Sequence, residues 1–402
     1  MTAPNVSTKV MARKRLRVLT ILLTSGLAFL APSAIAPGLP ALQADYAHVD
    51  HAAFLSPLVF TMPMLFIALA GPFVGYAVDR FGRRNVLITS TVLYGLAGVS
   101  GLVIDSIVLL LVSRALLGIF LAGIMTSVTA LVGDYFEGPE RNRVAGLQGA
   151  FMSLGTLTFV VIAGLLAEIH WRVGFALFAT AFALLPLMFL SLYEPGRAQG
   201  VDASAPEPPP TGRQWTAIGL FCGLAFISMV ILFLIPSQTA FFLAEIGVED
   251  PTRAGLAIGL FNLSAGLASL SYSRVRKHLS SEAIFAVLFA IGGVGLVMIG
   301  FANSFTATMI AMGVGGFSVG AFLPNINLAI ISRTSMSIRG RALGALTTMF
   351  FLGQFFSPVY AVPIAGVSSV GNVFVVSGVV LFALSVGFMV LSADQRLRTR
   401  TR

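Results

Sequence analysis

Twelve apolar runs, each long enough to cross a lipid bilayer, constrain the fold of this 402-residue chain more than any other feature. About 20 apolar residues are needed to cross roughly 30 Å of hydrocarbon. Because lipid cannot satisfy exposed backbone groups, each run is predicted to be a helix. We number these helices 1 to 12, and their predicted ranges are 17–42, 52–78, 86–104, 106–133, 146–168, 172–193, 214–243, 253–272, 282–301, 305–332, 342–365 and 369–392.

The composition excludes several other classes of protein. Only 10% of the residues are charged and 57% are hydrophobic, whereas a soluble domain carries about 25% charged residues. The net charge of +9 does not indicate a nucleic-acid partner, because the basic residues are scattered through short connections. The single cysteine, Cys222, lies in an apolar run, and no phosphate-binding G-x4-G-K-[ST] motif occurs. We therefore expect no disulfide, no metal, no cofactor and no ATP-driven step.

The positive charges predict the topology. Of the 25 lysines and arginines, 22 fall in connections on the side of the N-terminus, Arg172 and Arg253 on the other side, and Arg114 within helix 4. This asymmetry predicts a multi-pass protein of the cell (inner) membrane with both termini cytoplasmic. Basic residues before the first run are typical of a secretion signal, but the run continues to Leu42, so we expect an uncleaved first helix.

The chain is predicted to consist of two related halves. A polar break at 194–213 contains five prolines and is expected to be a disordered cytoplasmic linker between an N-terminal six-helix bundle (1–193) and a C-terminal one (214–402). Gly26-Leu-Ala-Phe29 recurs as Gly223-Leu-Ala-Phe226 at an offset of 197, and Arg141 recurs as Arg339 at an offset of 198. A near-constant offset shared by glycines and arginines indicates a repeat.

The connection between helices 2 and 3 carries an unusual concentration of charge and glycine, Gly75-Tyr-Ala-Val-Asp79-Arg80-Phe-Gly82-Arg83-Arg84. Such charge beside hydrocarbon is tolerated at the water interface or in ion pairs, and the glycines permit a sharp turn. The pattern resembles the signature loop of the major facilitator superfamily (MFS). The resemblance implies an all-α membrane protein whose 12 transmembrane helices form two pseudo-symmetric six-helix bundles, the MFS fold. A basic loop that only orients the helices is the alternative interpretation.

The resemblance also implies roles for individual residues. Helices 1, 4, 7 and 10 would line a central cavity, helices 2, 5, 8 and 11 would flank it, and helices 3, 6, 9 and 12 would face outward. In the family, the loop aspartate caps the start of helix 11 and the loop arginine pairs with a carboxylate at the inner end of helix 4. Asp79, Arg83 and Asp134 match these positions, so we expect a cytoplasmic latch between the halves. The matching segment 273–278 of the second half lacks the aspartate, which argues against a second gate of equal strength.

Two residues are candidates for coupling transport to protons. Arg114 lies deep in helix 4, where a charge costs several kcal/mol unless it faces a partner or a wet cavity. Arg114-x-x-Leu117-Gly118 resembles the family pattern R-x-x-Q-G, which implies a role near the proton-coupling step. A hydrogen bond to the backbone of helix 1 is the alternative. Asp45, which follows a Pro-Gly-Leu-Pro segment similar to that of proton-linked drug exporters, is the other candidate, although helix 5 lacks the proline of the antiporter signature.

The cavity is predicted to be apolar and aromatic, with a few amides. No Asp, Glu or Lys lies in the middle of the helices that would line it. A carboxylate that carries protons would therefore lie near an edge, at Asp45, Asp79 or Asp134, unless coupling is indirect. The candidate cavity residues are Phe29, Gln238, Asn262, Asn325, Asn327 and Gln354. Such a lining favours lipophilic, neutral or weakly anionic compounds over sugars, although each amide could instead hold helices together.

These observations predict a transporter rather than an enzyme. The most favoured function is proton-coupled export of a small amphipathic compound, drug-like or a metabolite, by alternating access in a monomer. The alternatives are uptake or facilitated transport of a small organic anion with Arg114 as its counter-charge, and a lipid or lysolipid carrier. His48-x-x-His51 has no third ligand nearby, so it is not expected to bind a metal.

Overall fold

The computed structural model describes residues 6–195 and 211–400, which are almost entirely helical and contain no strand within those ranges. The helices are, in chain order, helix 1 (Val6–Ser33 and Leu39–Asp45), helix 2 (Ala52–Phe81), helix 3 (Arg83–Val99), helix 4 (Ile107–Tyr135), helix 5 (Gly138–Ile169), helix 6 (the 3-10 segment Trp171–Ala179 and Thr180–Ser191), helix 7 (Gly212–Leu232 and Leu234–Glu245), helix 8 (Pro251–Val275), helix 9 (Ser281–Gly300), helix 10 (Phe305–Gly320 and Phe322–Ile331), helix 11 (Met336–Val367) and helix 12 (Val370–Arg400).

Eleven helices of the described ranges are long and apolar enough to span a membrane, and helix 5 contributes the shorter apolar stretch Gly155–Ile169. The predicted all-helical membrane fold is therefore confirmed. Most of the predicted linker, 196–210, lies outside the described residues. At the two ends of the predicted linker, Glu194 accepts a hydrogen bond from the start of helix 3 and helix 7 begins at Gly212.

Three helices, 1, 7 and 10, are interrupted where they approach the centre of the molecule. The interruptions precede Pro37, Pro236 and Pro324 by three or four residues. A proline ring clashes with the carbonyl four residues earlier and donates no hydrogen bond, so the preceding turn cannot remain regular. The breaks therefore place non-helical backbone beside the central cavity described below.

The two halves pack around separate cores and repeat the same close contact. A Cβ on Gly118 of helix 4 would lie 2.3 Å from the carbonyl oxygen of Pro63 in helix 2. A Cβ on Gly316 of helix 10 would lie 2.3 Å from the carbonyl oxygen of Phe261 in helix 8. Both glycines and both partners are related by the offset of 198. The internal repeat is thus a repeat of helix packing, with glycine required where two backbones touch.

Among the described residues, the contacts between the two halves lie on one side of the molecule. We call the side that holds the helix 2–3 loop the inner side and the opposite side the outer side. On the outer side, Thr252 of helix 8 donates a hydrogen bond to Glu168 of helix 5, and a Cβ on Gly255 would lie 2.7 Å from the Val160 carbonyl oxygen. Nearer the centre, the Phe60 and Phe233 rings stack with centroids 5.3 Å apart. These contacts close the outer side of the molecule.

The inner halves of the same helices are separated. A Cβ built on Gly75 of helix 2, or on Gly340 or Gly344 of helix 11, would meet nothing within 4 Å. The inner ion pairs Lys14–Glu140, Arg83–Asp134 and Arg333–Glu282 each join residues of the same half. The structure is therefore open toward the inner side.

Candidate transport cavity and signature loop

A cavity of about 420 Å³ lies between the two halves. Five phenylalanines contribute to its wall, and every residue that lines it is uncharged. The phenylalanines are Phe29, Phe233, Phe261, Phe350 and Phe351. The polar lining residues are Ser33, Thr156, Asn262, Asn327, Thr347 and Gln354. Such a volume and lining suit a small, largely apolar ligand.

Four of the six predicted cavity residues, Phe29, Asn262, Asn327 and Gln354, line this cavity, and the other two do not. Asn325 is fully buried, donates to the Ser281 carbonyl at 3.0 Å and receives a hydrogen bond from Tyr272 at 3.4 Å. It therefore joins helices 8, 9 and 10 rather than facing a ligand. Gln238 is also buried, and within the described part of the chain its Nε2 has no hydrogen-bond partner.

Arg114 does not face the cavity. Its guanidinium is fully buried and donates to the carbonyls of Ala97 at 2.5 Å and Gly98 at 3.1 Å, which lie at the C-terminal end of helix 3. It also lies over the rings of Phe175 and Phe178, 4.8 and 5.2 Å from their centroids. A cation is favourable at a helix C-terminus, where carbonyls lack intrahelical partners.

The alternative interpretation of Arg114 named a hydrogen bond to the backbone of helix 1, but the bonds are made to helix 3. Tyr94 of helix 3 makes the link to helix 1, by donating to the Leu27 carbonyl at 2.8 Å. In this conformation Arg114 cannot act as a counter-charge for an anion in the cavity, because its hydrogen bonds point between helices 3, 4 and 6. The alternative function, anion transport, therefore lacks Arg114 as the counter-charge in the cavity.

Asp45 lies on the outer side within a cluster of the N-terminal half. Its carboxylate accepts a hydrogen bond from the Trp171 indole at 3.1 Å and lies 3.7 Å from the Arg172 guanidinium. Arg172 also pairs with Asp105 at 2.7 Å. Asp45 thus holds the end of helix 1 against the start of helix 6, and it is not among the residues that line the cavity.

The signature loop turns at Gly82, whose φ of +93° lies in the region that favours glycine. The turn is held by Glu194, whose carboxylate accepts hydrogen bonds from the backbone nitrogens of Arg83 at 2.7 Å and Arg84 at 2.9 Å. A Cβ on Gly82 would lie 2.7 Å from the carboxyl carbon of Glu194. Sequence reasoning missed Glu194 because the residue stands 111 positions away, at the start of the polar break.

The predicted ion pair between Arg83 and Asp134 is present. Since both residues belong to the N-terminal half and pair while the inner side is open, this contact alone does not latch the halves together. Asp79 is exposed, and no ion pair or hydrogen bond of its carboxylate is found in the described ranges. Arg80 extends from the same turn and donates to the hydroxyl of Tyr76 at 2.8 Å.

The second half carries an ion pair at the equivalent place, with the signs exchanged. Glu282, in the first turn of helix 9, pairs with Arg333 just after helix 10 at 2.5 Å. Helix 9 and the end of helix 10 correspond to helix 3 and the end of helix 4 in the first half. Sequence reasoning missed this pair because its two residues are 51 positions apart and neither lies in the loop 273–278.

Within the described residues, no group of three or more His, Cys, Asp or Glu is arranged to hold a metal ion. His48 Nδ1 lies 3.1 Å from the carbonyl oxygen of Asp45, which is a contact within its own turn. Cys222 is a free, half-buried cysteine of helix 7.

Comparison with known proteins identifies the family. Residues 21–248 match the model of the Major Facilitator Superfamily. The chain is 31% identical to multidrug resistance protein 1 of Bacillus subtilis (strain 168) over 220 residues, about half (54%) of each chain. It is 24% identical to multidrug resistance protein MdtG of Klebsiella pneumoniae (strain 342) over 375 residues, 87% of each chain.

The fold is similar to that of solved transporters. One is a bacterial homolog of the human lysosomal transporter Spinster in an inward-facing and unoccupied conformation, with a TM-score of 0.69, 16% identity and 97% of each chain covered. The family match means that the chain is a multi-span membrane transporter for small molecules rather than an enzyme. The chain belongs to the Major Facilitator Superfamily.

Proposed function

We propose that this protein exports small amphipathic compounds, drug-like or metabolic, in exchange for protons. The observation that carries the proposal is the 420 Å³ cavity between the halves, lined by aromatic rings and amides and closed on the outer side. The relatives named multidrug resistance proteins support export. We further propose that the protein lies in the inner membrane with both termini cytoplasmic, so that the inner side of the structure faces the cytoplasm.

Transport by alternating access requires a second state that is closed on the inner side. We expect helices 2 and 11 to form the surfaces of that closure. Gly75 on helix 2 and Gly344 on helix 11 have empty space beside them. The side chain of Ser335, the N-cap residue of helix 11, bonds to the Ser337 hydroxyl at 3.0 Å and caps no backbone N–H of that helix. In the closed state the exposed Asp79 carboxylate would cap this helix N-terminus, where an anion is favourable.

The same geometry suggests how protons could control the exchange. Because every cavity residue is uncharged, the proton carrier is expected outside the cavity. Asp134 pairs with Arg83, and Asp45 contacts Trp171 and Arg172. Of the three candidate carboxylates, Asp79 is therefore the one we propose as the proton carrier. A neutral Asp79 would cap helix 11 less well than an ionised one, so its protonation would favour opening toward the cytoplasm.

The test is a transport assay in inside-out membrane vesicles with an imposed pH gradient reported by a quenched dye. Neutral lipophilic compounds, lipophilic cations, organic anions and lysophosphatidylcholine would be added in turn. We expect a neutral compound to release protons and restore fluorescence, and Asp79→Asn to abolish the response. Asp50→Asn, which changes an exposed aspartate of an outer connection, is the matched control.

A response to organic anions alone would support the anion transporter, and a response to the lysolipid alone would support the lipid carrier. No response across the panel, in vesicles shown to contain folded protein, would reject proton-coupled export. A response that persists in Asp79→Asn would leave export standing and reject the proposed carrier.

A further inference from the structure

The polar groups of the cavity are distributed unevenly between the two halves. The N-terminal half contributes two hydroxyl side chains, Ser33 and Thr156, and no amide. The C-terminal half contributes three amides, Asn262 on helix 8, Asn327 on helix 10 and Gln354 on helix 11. The internal repeat does not impose this difference, since at the offset of 198 Gln354 corresponds to Thr156.

The three amides differ in what they already bind. Asn262 donates to the carbonyl of Ile258 in its own helix at 2.8 Å. Within the described residues no hydrogen bond is found for the side chains of Asn327 and Gln354, and only 7% of Gln354 is exposed. The polar atoms of both side chains remain accessible from the cavity, so each can exchange water for a hydrogen bond to a ligand. Asn327 and Gln354 therefore hold donor groups that gain free energy when a ligand accepts their hydrogen bonds.

The rest of the wall is apolar. The N-terminal half faces the amides with Phe29, Met64, Ile67, Leu121 and Met125. Because no lining residue carries a charge, a bound ion would be taken out of water without a counter-charge, which is strongly unfavourable. A neutral ligand avoids this cost, and the aromatic and thioether groups provide contact for an aromatic body.

We propose that the cavity selects neutral amphipathic compounds that carry one strong hydrogen-bond acceptor on an aromatic body. The acceptor binds the amides of Asn327 and Gln354, and the body lies against helices 1, 2 and 4. This inference rests on the proposed function in that the cavity is the substrate site. We also expect the affinity of the cavity for these compounds to be independent of pH, since none of the residues that line it is titratable.

The test is equilibrium dialysis of purified protein with four probes that share a phenyl-rich body. Triphenylphosphine oxide is neutral with a strong acceptor, triphenylmethane is neutral without one, tetraphenylphosphonium is a cation and tetraphenylborate is an anion. We expect the oxide to bind more tightly than the other three. Its affinity is expected to change by less than about twofold between about pH 6 and about pH 8, a range in which a histidine of ordinary pKa would titrate.

Two substitutions of similar shape test the amides. Asn327→Leu and Gln354→Met are each expected to weaken binding of the oxide by about fivefold, the effect of one hydrogen bond, and that of triphenylmethane by less than twofold. Asn372→Leu, at an exposed asparagine of helix 12, is the control and should change neither. Equal losses for the two neutral probes would show that the amides only pack, and would overturn the proposal.

Tighter binding of tetraphenylphosphonium than of the oxide, or an affinity that follows a single titration, would also overturn it, because both require a charged group at the site. Binding is measured without a gradient, so its outcome is independent of the vesicle assay. Intact binding of the oxide with no transport in vesicles would reject the proposed export and keep the cavity's preference. Transport in vesicles without the expected order of probe affinities would reject the cavity's preference and keep the proposed export.

Discussion

Glu194 accepts a 2.7 Å hydrogen bond from the backbone nitrogen of Arg83, although 111 residues separate the two in the chain. The first backbone N–H groups of any helix lack intrahelical partners, and here one carboxylate satisfies two of them at the start of helix 3. The negative charge also meets the positive end of the helix dipole. The end of helix 6 is thereby tied to the signature loop.

Removing this cap is expected to destabilise the N-terminal half. Glu194→Ala should lower the free energy of unfolding by about 1 kcal/mol, the usual effect of losing a helix cap. Glu194→Gln keeps an acceptor and should lose less. The measurement is thermal unfolding of the protein in detergent, with Glu249→Ala, at an exposed glutamate, as the control. A midpoint for Glu194→Ala equal to that of the control would show that the cap contributes nothing.

Gly82 is expected to tolerate no side chain. In Gly82→Ala the φ of +93° becomes unfavourable and the new Cβ meets the Glu194 carboxylate, which together should cost on the order of 1–3 kcal/mol. Gly75→Ala, in the same loop motif, places its Cβ in open space and should unfold at the wild-type temperature. Equal unfolding temperatures for the two variants would contradict the geometry of the turn.

Arg114 is expected to stabilise the fold rather than bind substrate. Arg114→Met leaves the helix 3 carbonyls of Ala97 and Gly98 without their buried donor, at a cost of about 2 kcal/mol or more. Thermal unfolding should show this loss, while transport per folded molecule stays near that of the wild type. Arg274→Met, at an exposed arginine, is the control. Unchanged stability with lost proton coupling would restore the coupling role instead.

The two sign-exchanged ion pairs should differ in strength. Glu282 lies at a helix N-terminus and Arg333 just after a helix C-terminus, where each charge is favourable. Arg83 lies at a helix N-terminus and Asp134 at a helix C-terminus, where each charge is unfavourable. Removing both charges in Glu282→Gln/Arg333→Gln should therefore cost about 1 kcal/mol more than in Arg83→Gln/Asp134→Asn. Thermal unfolding of the two double variants makes the comparison. An equal or reversed order would mean that the dipoles do not decide the difference.

Closure of the inner side should require the small residues of helix 11. Gly344→Trp introduces a ring where nothing lies within 4 Å, so the unfolding temperature should stay near that of the wild type. Vesicle transport should fall at least about tenfold, since the ring would occupy the closing interface. Gly387→Trp, at an exposed glycine of helix 12 with equally open surroundings, should transport normally. Full transport by Gly344→Trp would show that helix 11 does not close there.

The membrane fold could be predicted from the sequence because lipid imposes a local rule. Each apolar run must satisfy its own backbone and is long enough to cross, so the helices follow from the residues within each run. The pairing of Arg83 with Asp134 could be predicted from the resemblance of the loop to that of the family, in which the loop arginine pairs with a carboxylate at the inner end of helix 4.

The tertiary structure alone decided which side chains meet across helices. Asn325 and Asn327 are two residues apart, hence about 200° apart around helix 10, and only the packing of that helix shows that Asn327 faces the cavity while Asn325 is buried against helix 9. Arg114 finds its partners at the end of helix 3, and Glu194 caps a helix 111 positions away. Apolar runs carry no mark of which face turns inward, because lipid and protein interior are equally apolar solvents for a side chain.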